Sequence, residues 1–342
     1  MTIDRRTLLL TSLSLLAAGA AHAEDPPPSP YQGDPPWPPK ESFPLWPGAA
    51  PGQPAELPKP NWTMNGGKDY RQILVEGVDR PELHVYRPQK PNGIGLLVCP
   101  GGSYHFLAVQ NEGMDAGKTF TPYGVTIFVL TYRLPGEGWA HRENVPLQDA
   151  QRAMRLIRAR AHEFGVDPAR TGVLGFSAGG HLAASLATCY DETVYDPVDA
   201  ADRQSARPAF AGLIYPVIDM HEPLVHAESR ARLLGDDPSP ALLDARSLQK
   251  RVTADTPPCF LVHAFDDKAV PPGNSLEMAK ALREHNVPTE LPLFERGGHG
   301  FGFHLPKDMP GSRWPDLFNA WISLHSEGIL SDLNRRGQVG AL

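Results

Sequence analysis

The stretch Gly175-Phe176-Ser177-Ala178-Gly179-Gly180 constrains this chain more than any other. It follows an apolar run at 171–174 and opens a helical pattern at 178–189, so a serine sits where a strand turns sharply into a helix. Glycines two residues before and two residues after Ser177 leave room for that strand and helix to approach each other. The N-terminus of the new helix points free N–H groups at the serine and favours negative charge developing there. A serine held in such a turn reads as a nucleophile.

The rest of the chain supplies layers around that turn. Apolar runs at 83–86, 95–99, 125–130, 173–176, 213–215, 260–263 and 291–294 have strand length, the first reading as an edge strand. Helical patterns lie at 147–164, 178–189, 274–285 and 315–325. Leu147, Ala150, Met154, Ile157 and Ala161 recur at three- and four-residue steps and mark one buried face. Apolar strands alternating with helices predict an α/β fold, a mostly parallel sheet covered on both faces. With no internal repeat, residues 61–342 read as one domain.

Two segments precede it. In residues 1–23, Arg5-Arg6 leads an uncharged stretch at 8–20, and Ala21-His22-Ala23 offers small residues for cleavage. That stretch is shorter than the roughly 20 residues a bilayer-spanning helix needs, so it reads as an export signal of twin-arginine type. The expected location is the periplasm or the extracellular space, without stable membrane association. Residues 24–60 carry repeated Pro-Pro pairs with Trp37, Phe43 and Trp46 among them. Proline excludes helix and interior strand there, which predicts an extended linker or belt over the surface. Trp46 is expected to pin it by apolar burial.

Composition narrows the chemistry. A formal charge of −7 without a long run of like charges argues against a nucleic-acid partner. Three cysteines are too few and too odd for a disulfide scaffold, and Cys99 and Cys259 lie in apolar runs. No His-x₃-His or Cys-x₂-Cys spacing occurs, so neither metal nor other cofactor is implied.

Partners for Ser177 are found at the ends of other apolar runs. Ala264-Phe265-Asp266-Asp267 follows one run, and either aspartate there could orient a histidine. Gly297-Gly298-His299-Gly300-Phe301 follows another, and its flanking glycines let a loop carry an imidazole over the serine. Pro100-Gly101-Gly102-Ser103-Tyr104 closes the run at 95–99 with a turn rich in free backbone N–H groups.

These motifs together resemble the α/β-hydrolase fold serine esterases. The runs at 44–52, 99–104, 146–153, 175–183 and 297–301 are most similar to the exported bacterial acetylxylan-esterase-like group. The resemblance covers about residues 43–330. It implies a catalytic triad of Ser177, Asp267 and His299, in the chain order of that fold. Asp267 is selected over Asp266 because the fold's pattern aligns on His263, Val270 and Pro271, leaving Asp266 to satisfy local backbone N–H groups. It further implies an oxyanion hole from the amides of Gly102, Ser103 and Ala178, with Ser103 standing where the family usually has glycine.

The expected activity is hydrolysis of short-chain acyl esters, foremost O-acetyl groups on plant-polysaccharide sugars such as xylan. The substrate is then a small-molecule or oligosaccharide ester. A prolyl-oligopeptidase-type peptidase and a general short-chain esterase or lipase are the alternatives. Tyr104 and Trp139, in loops after strand candidates, are expected to form an aromatic wall for a pyranose ring. The oligomeric state is left open.

Overall fold

A computed structural model describes residues 36–65 and 72–326. The strands are β1 (Ser42–Pro44), β2 (Asn61–Asn65), β3 (Gln72–Glu76), β4 (Glu82–Tyr86), β5 (Gly93–Cys99) and β6 (Thr126–Thr131). They continue with β7 (Val166–Phe176), β8 (Ala211–Ile214), β9 (Cys259–Ala264), β10 (Thr289–Glu290) and β11 (Leu293–Phe294). The helices are α1 (Asp115–Phe120), α2 (Val145–Ala159), α3 (Ala161–Phe164) and α4 (Ser177–Thr188). After them come α5 (Ala227–Leu234), α6 (Pro240–Ala245), α7 (Gly273–Glu284) and α8 (Trp314–Ser326).

Nine strands form one sheet in the order β1-β4-β6-β5-β7-β8-β9-β10, with β11 also on β9. From β6 through β11 every pairing is parallel, while β1 and β4 are antiparallel additions at one edge. Strands β6, β8 and β9 are buried along their whole length, as continuous apolar runs between two helical layers should be. The apolar periodicity at 147–161 is likewise realised, with Leu147, Ala150, Met154, Ile157 and Ala161 all buried. The single helix expected at 147–164 is instead two, interrupted at Arg160 and closed by Gly165 in the left-handed conformation.

The expected linker is largely part of the domain. Residues 24–35 lie outside the described residues, as do residues 1–23, the expected export signal. Beyond them β1 pairs with β4, and Trp37, Leu45 and Trp46 are buried. Pro44 is tolerated because β1 is an edge strand with one neighbour. The domain therefore begins well before residue 61. Trp46 does pin the segment, and its Nε1 also donates to Asp149 Oδ1 at 2.8 Å.

Register brings the chemistry-bearing loops together. Cys99 at the end of β5 pairs with Gly175 near the end of β7, so the loops that follow leave the sheet side by side. Phe176 pairs with Ile214, Ile214 with Val262, and His263 with Leu293. The loops after β5, β7, β9 and β11 thus share the carboxyl edge of the sheet, where ligands of such folds gather. All three cysteines are free and buried.

Candidate active site

Ser177 is the first residue of α4 and has φ +52°, a left-handed conformation costly for a non-glycine residue. The neighbouring glycines make it possible. A Cβ at Gly175 would lie 2.0 Å from the Gly179 carbonyl oxygen, and one at Gly179 would lie 2.1 Å from that of Cys99. The turn is locked from the loop after β8, since Val217 N donates to the Ser177 carbonyl at 3.1 Å.

His299 reaches this serine from the loop after β11. Its Nε2 is 2.9 Å from Ser177 Oγ, and its Nδ1 is 2.7 Å from Asp267 Oδ2. Asp267 Oδ1 accepts the amides of Ala269 and Val270, both at 2.9 Å. Burial opposes ionisation of Asp267. Hydrogen bonds from His263 and His299, the charge of His299 and the Val270 amide outweigh it and hold the carboxyl well below the usual carboxylate range. A hydroxyl, an imidazole and a buried carboxylate in this relay can carry nucleophilic attack.

Asp266 takes a different part from the one expected. It is exposed, and its Oδ1 accepts Gly297 N at 2.9 Å and Gly298 N at 2.7 Å. These are amides of the histidine loop, not of its own turn. The two adjacent aspartates thus divide the work, Asp267 holding the imidazole and Asp266 the loop that bears it.

The loop after β5 passes next to Ser177, for a Cβ at Gly101 would stand 3.0 Å from Ser177 Cβ. Gly102, Ser103 and Tyr104 all have positive φ, at 130°, 57° and 60°. Gly102 and Ser103 are half-buried, and their amides take no part in the loop's own bonds, which run from His105 N and Phe106 N to Gly102 O and from Ala108 N to Gly101 O. Ala178, in the first turn of α4, has no intrahelical acceptor for its amide. The three expected oxyanion donors therefore lie on two adjoining segments beside Ser177.

The aromatic wall is not there. Tyr104 is 1% exposed, and its hydroxyl donates to His181 Nδ1 at 2.8 Å. His181 Nε2 in turn donates to the Arg246 carbonyl at 2.9 Å. Burial pushes the His181 imidazole down to about 4, more than the Arg246 hydrogen bond raises it, so the ring is neutral. Trp139 is 4% exposed and packs on the Arg133 guanidinium, whose centre lies 4.8 Å from the ring centroid. Arg133 is itself buried in an ion pair with Asp149 at 2.8 Å. Neither ring has a free face for a sugar, because burying apolar area against these groups outweighed leaving it at the rim.

Three further residues complete the site, of which only His263 has a part in the sequence reading, as an alignment anchor. His263, on β9, bridges Asp267 Oδ2 at 3.2 Å and the Val270 carbonyl at 3.1 Å, with Ser275 Oγ on its other nitrogen at 2.8 Å. Glu112 and Tyr215 meet each other near the Ser177 turn, 103 residues apart in the chain. Spacing could not have paired them. Among the described residues no group of three or more His, Cys, Asp or Glu side chains is placed to hold a metal ion, and no helix is long and apolar enough to cross a membrane.

A family model described as BD-FAE matches residues 83–282, more than half of the chain. The chain belongs to the BD-FAE family. The match runs from β4 through most of α7, so it takes in Ser177 and Asp267 and stops short of His299. An acetylxylan esterase of Xylanibacter ruminicola is 32% identical over 229 residues, covering 66% of this chain and 44% of that protein. An endo-1,4-beta-xylanase B of Butyrivibrio fibrisolvens is 38% identical over 205 residues, covering 60% of this chain and 32% of that protein. This BD-FAE chain thus spans a third to a half of the length of these relatives.

The solved structure of an acetyl ester-xyloside bifunctional hydrolase from Caldicellulosiruptor lactoaceticus superposes with TM-score 0.68 at 35% identity. It covers 84% of this chain and 96% of that one. The α/β-hydrolase fold and the kinship with acetylxylan esterases read from the sequence are borne out.

Proposed function

We propose that the protein is a serine esterase that removes short acyl groups, foremost O-acetyl groups from plant-polysaccharide sugars, through an acyl-enzyme. The observation that carries this reading is the unbroken relay of 2.9 Å and 2.7 Å from Ser177 through His299 to Asp267. His299 Nε2 takes the Ser177 proton as Oγ attacks the ester carbonyl, while Asp267 fixes the tautomer and stabilises the imidazolium. The oxyanion lies on the amides of Gly102, Ser103 and Ala178. As the tetrahedral species collapses, the carbon–oxygen bond to the alcohol breaks and His299 returns its proton to the leaving oxygen. Water, deprotonated by His299, then attacks the acyl-serine. The carboxylic acid leaves, and the proton returns to Ser177.

Kinship with an acetylxylan esterase supports the acetyl and sugar parts of the proposal. Export to the periplasm or the extracellular space belongs to it as well, resting on the signal-like residues 1–23. The test is a series of p-nitrophenyl esters from acetate to octanoate, run beside acetylated xylan with release of acetate measured. Acetyl and propionyl esters should be cleaved much faster than octanoyl, and xylan should release acetate. A flat chain-length profile with no acetate from xylan would replace this reading with a general esterase.

A further inference from the structure

Behind the nucleophile lies a buried polar ligature that the acyl-enzyme chemistry does not use. Residues Val109–Met114 form a π-helical turn, a conformation that recurs at functional sites, and it runs directly into α1. Its Glu112 is 3% exposed. Glu112 Oε2 accepts the amide of Gly101 at 2.5 Å, and Oε1 accepts the Tyr215 hydroxyl at 2.9 Å. The Tyr215 oxygen in turn accepts the amide of Gly302 at 2.9 Å. One end of this chain is therefore the loop bearing Gly102 and Ser103, and the other is the loop bearing His299.

Neighbouring contacts run the same way. Asn111 Nδ2 donates to the Gly300 carbonyl at 3.1 Å, and Asp115 Oδ2 is 2.7 Å from His304 Nε2. The Tyr215 ring meets the His299 ring edge-on at 5.0 Å between centroids. Both groups facing Glu112 are donors, so an ionised carboxylate satisfies them together. Burial pushes this carboxyl up to about 7, against the Gly101 and Tyr215 hydrogen bonds and the charge of His299.

We infer that Glu112 is a positioning residue, which sets the Gly101–Ser103 loop against the His299 loop so that oxyanion donors and base meet one reacting carbonyl. The inference rests on the acyl-enzyme reading above. Its effect is exerted on the tetrahedral species and not on substrate capture, because Glu112 lies under both loops and touches neither Ser177 nor the open side of the site. Glutamine at 112 can still accept from Gly101, but its amide group then faces Tyr215 as a donor. The tyrosine, already accepting from Gly302, would lose Glu112 as an acceptor. Phenylalanine at 215 breaks the same half of the chain, and alanine at 112 breaks both halves.

The experiment measures p-nitrophenyl acetate hydrolysis and affinity for a trifluoromethyl ketone, whose adduct with Ser177 carries the oxyanion. Losing one oxyanion donor outright lowers turnover by about 10²–10³-fold, so misplacing the loop should give a fraction of that. Glu112→Ala should lower kcat about 10²-fold, and Glu112→Gln and Tyr215→Phe about tenfold each, with KM held within about threefold. Affinity for the ketone should fall in step with kcat.

Folded Glu112→Gln and Tyr215→Phe enzymes with wild-type kcat and ketone affinity would overturn the inference. So would a loss confined to KM. These two near-isosteric variants decide the matter even if Glu112→Ala does not fold. A wild-type enzyme that ignores the ketone, together with an active Ser177→Ala variant, would instead remove the acyl-enzyme reading beneath it.

Discussion

Asp267→Asn should be nearly as damaging as any change in the site, and the geometry says why. Asp267 Oδ1 accepts two backbone amides, from Ala269 and Val270, each at 2.9 Å. An asparagine must keep its carbonyl oxygen there, since turning its amide group toward two N–H donors would leave all of them unpaired. The amide nitrogen then occupies the Oδ2 position, 2.7 Å from His299 Nδ1, and presents a hydrogen. His299 can only meet it by moving its own proton to Nε2, the atom 2.9 Å from Ser177 Oγ. A protonated Nε2 cannot accept the serine's hydrogen.

His263 resists none of this, because its shared N–H keeps the Val270 carbonyl at 3.1 Å. The same tautomer trap in a serine protease costs about 10⁴ in kcat, equivalent to about 5 kcal/mol of barrier. Asp266→Asn should cost far less, because an amide oxygen can still accept Gly297 N and Gly298 N. Steady-state hydrolysis of p-nitrophenyl acetate by both variants, with melting curves to confirm folding, makes the comparison. The argument is refuted by an Asp267→Asn enzyme that keeps more than about a hundredth of wild-type kcat, or by a greater loss in Asp266→Asn.

Ser177→Ala should leave only the residual rate supplied by the oxyanion donors while keeping the wild-type melting curve; a tenth of wild-type turnover would be incompatible with a serine nucleophile. Trp139→Ala removes a buried ring stacked on Arg133 and should cost about 3–5 kcal/mol in urea unfolding. Its KM should change alike for p-nitrophenyl acetate and an acetylated xylo-oligosaccharide, and a loss for the oligosaccharide alone would return Trp139 to the substrate wall. Glu112, raised by burial from 4.5 to about 7, binds its proton more tightly folded than unfolded, so its contribution to stability is full below about pH 4.5 and lost as pH rises through about 7. The stability of wild type relative to Glu112→Gln should therefore fall by about 3 kcal/mol between pH 4.5 and pH 8, and a constant difference would contradict the cause assigned to the shift.

What could be read from the sequence was whatever the chain writes locally. Burial on both faces shows as an unbroken apolar run, so β5, β6, β8 and β9 were visible in composition alone. The turn at Ser177 demands glycines at fixed offsets, and the His299 loop carries its own. Elements held by partners distant in sequence were not visible. The edge strand β1, only three residues long and ending in proline, exists because β4 offers it a free edge. Tyr104 and Trp139 look like rim aromatics until His181 and Arg133, from elsewhere in the chain, bury them.

The same division runs through the site itself. Each group that would exchange protons or bonds with the substrate sits in a local motif, because its loop must adopt one unusual backbone shape whatever surrounds it. The groups that aim those loops belong to no motif that sets one loop against the other: a glutamate in a π-helical turn and a tyrosine just past β8. Glu112 is 11 residues from Gly101 but 103 from Tyr215, and Asp266 is 31 from Gly297. Only the sheet's register, which sets β5, β7, β9 and β11 with their ends together, brings such pairs within hydrogen-bonding distance. The reacting atoms are thus specified by sequence and their alignment by tertiary packing, so substitutions behind the site should alter rate while leaving every recognisable motif in place.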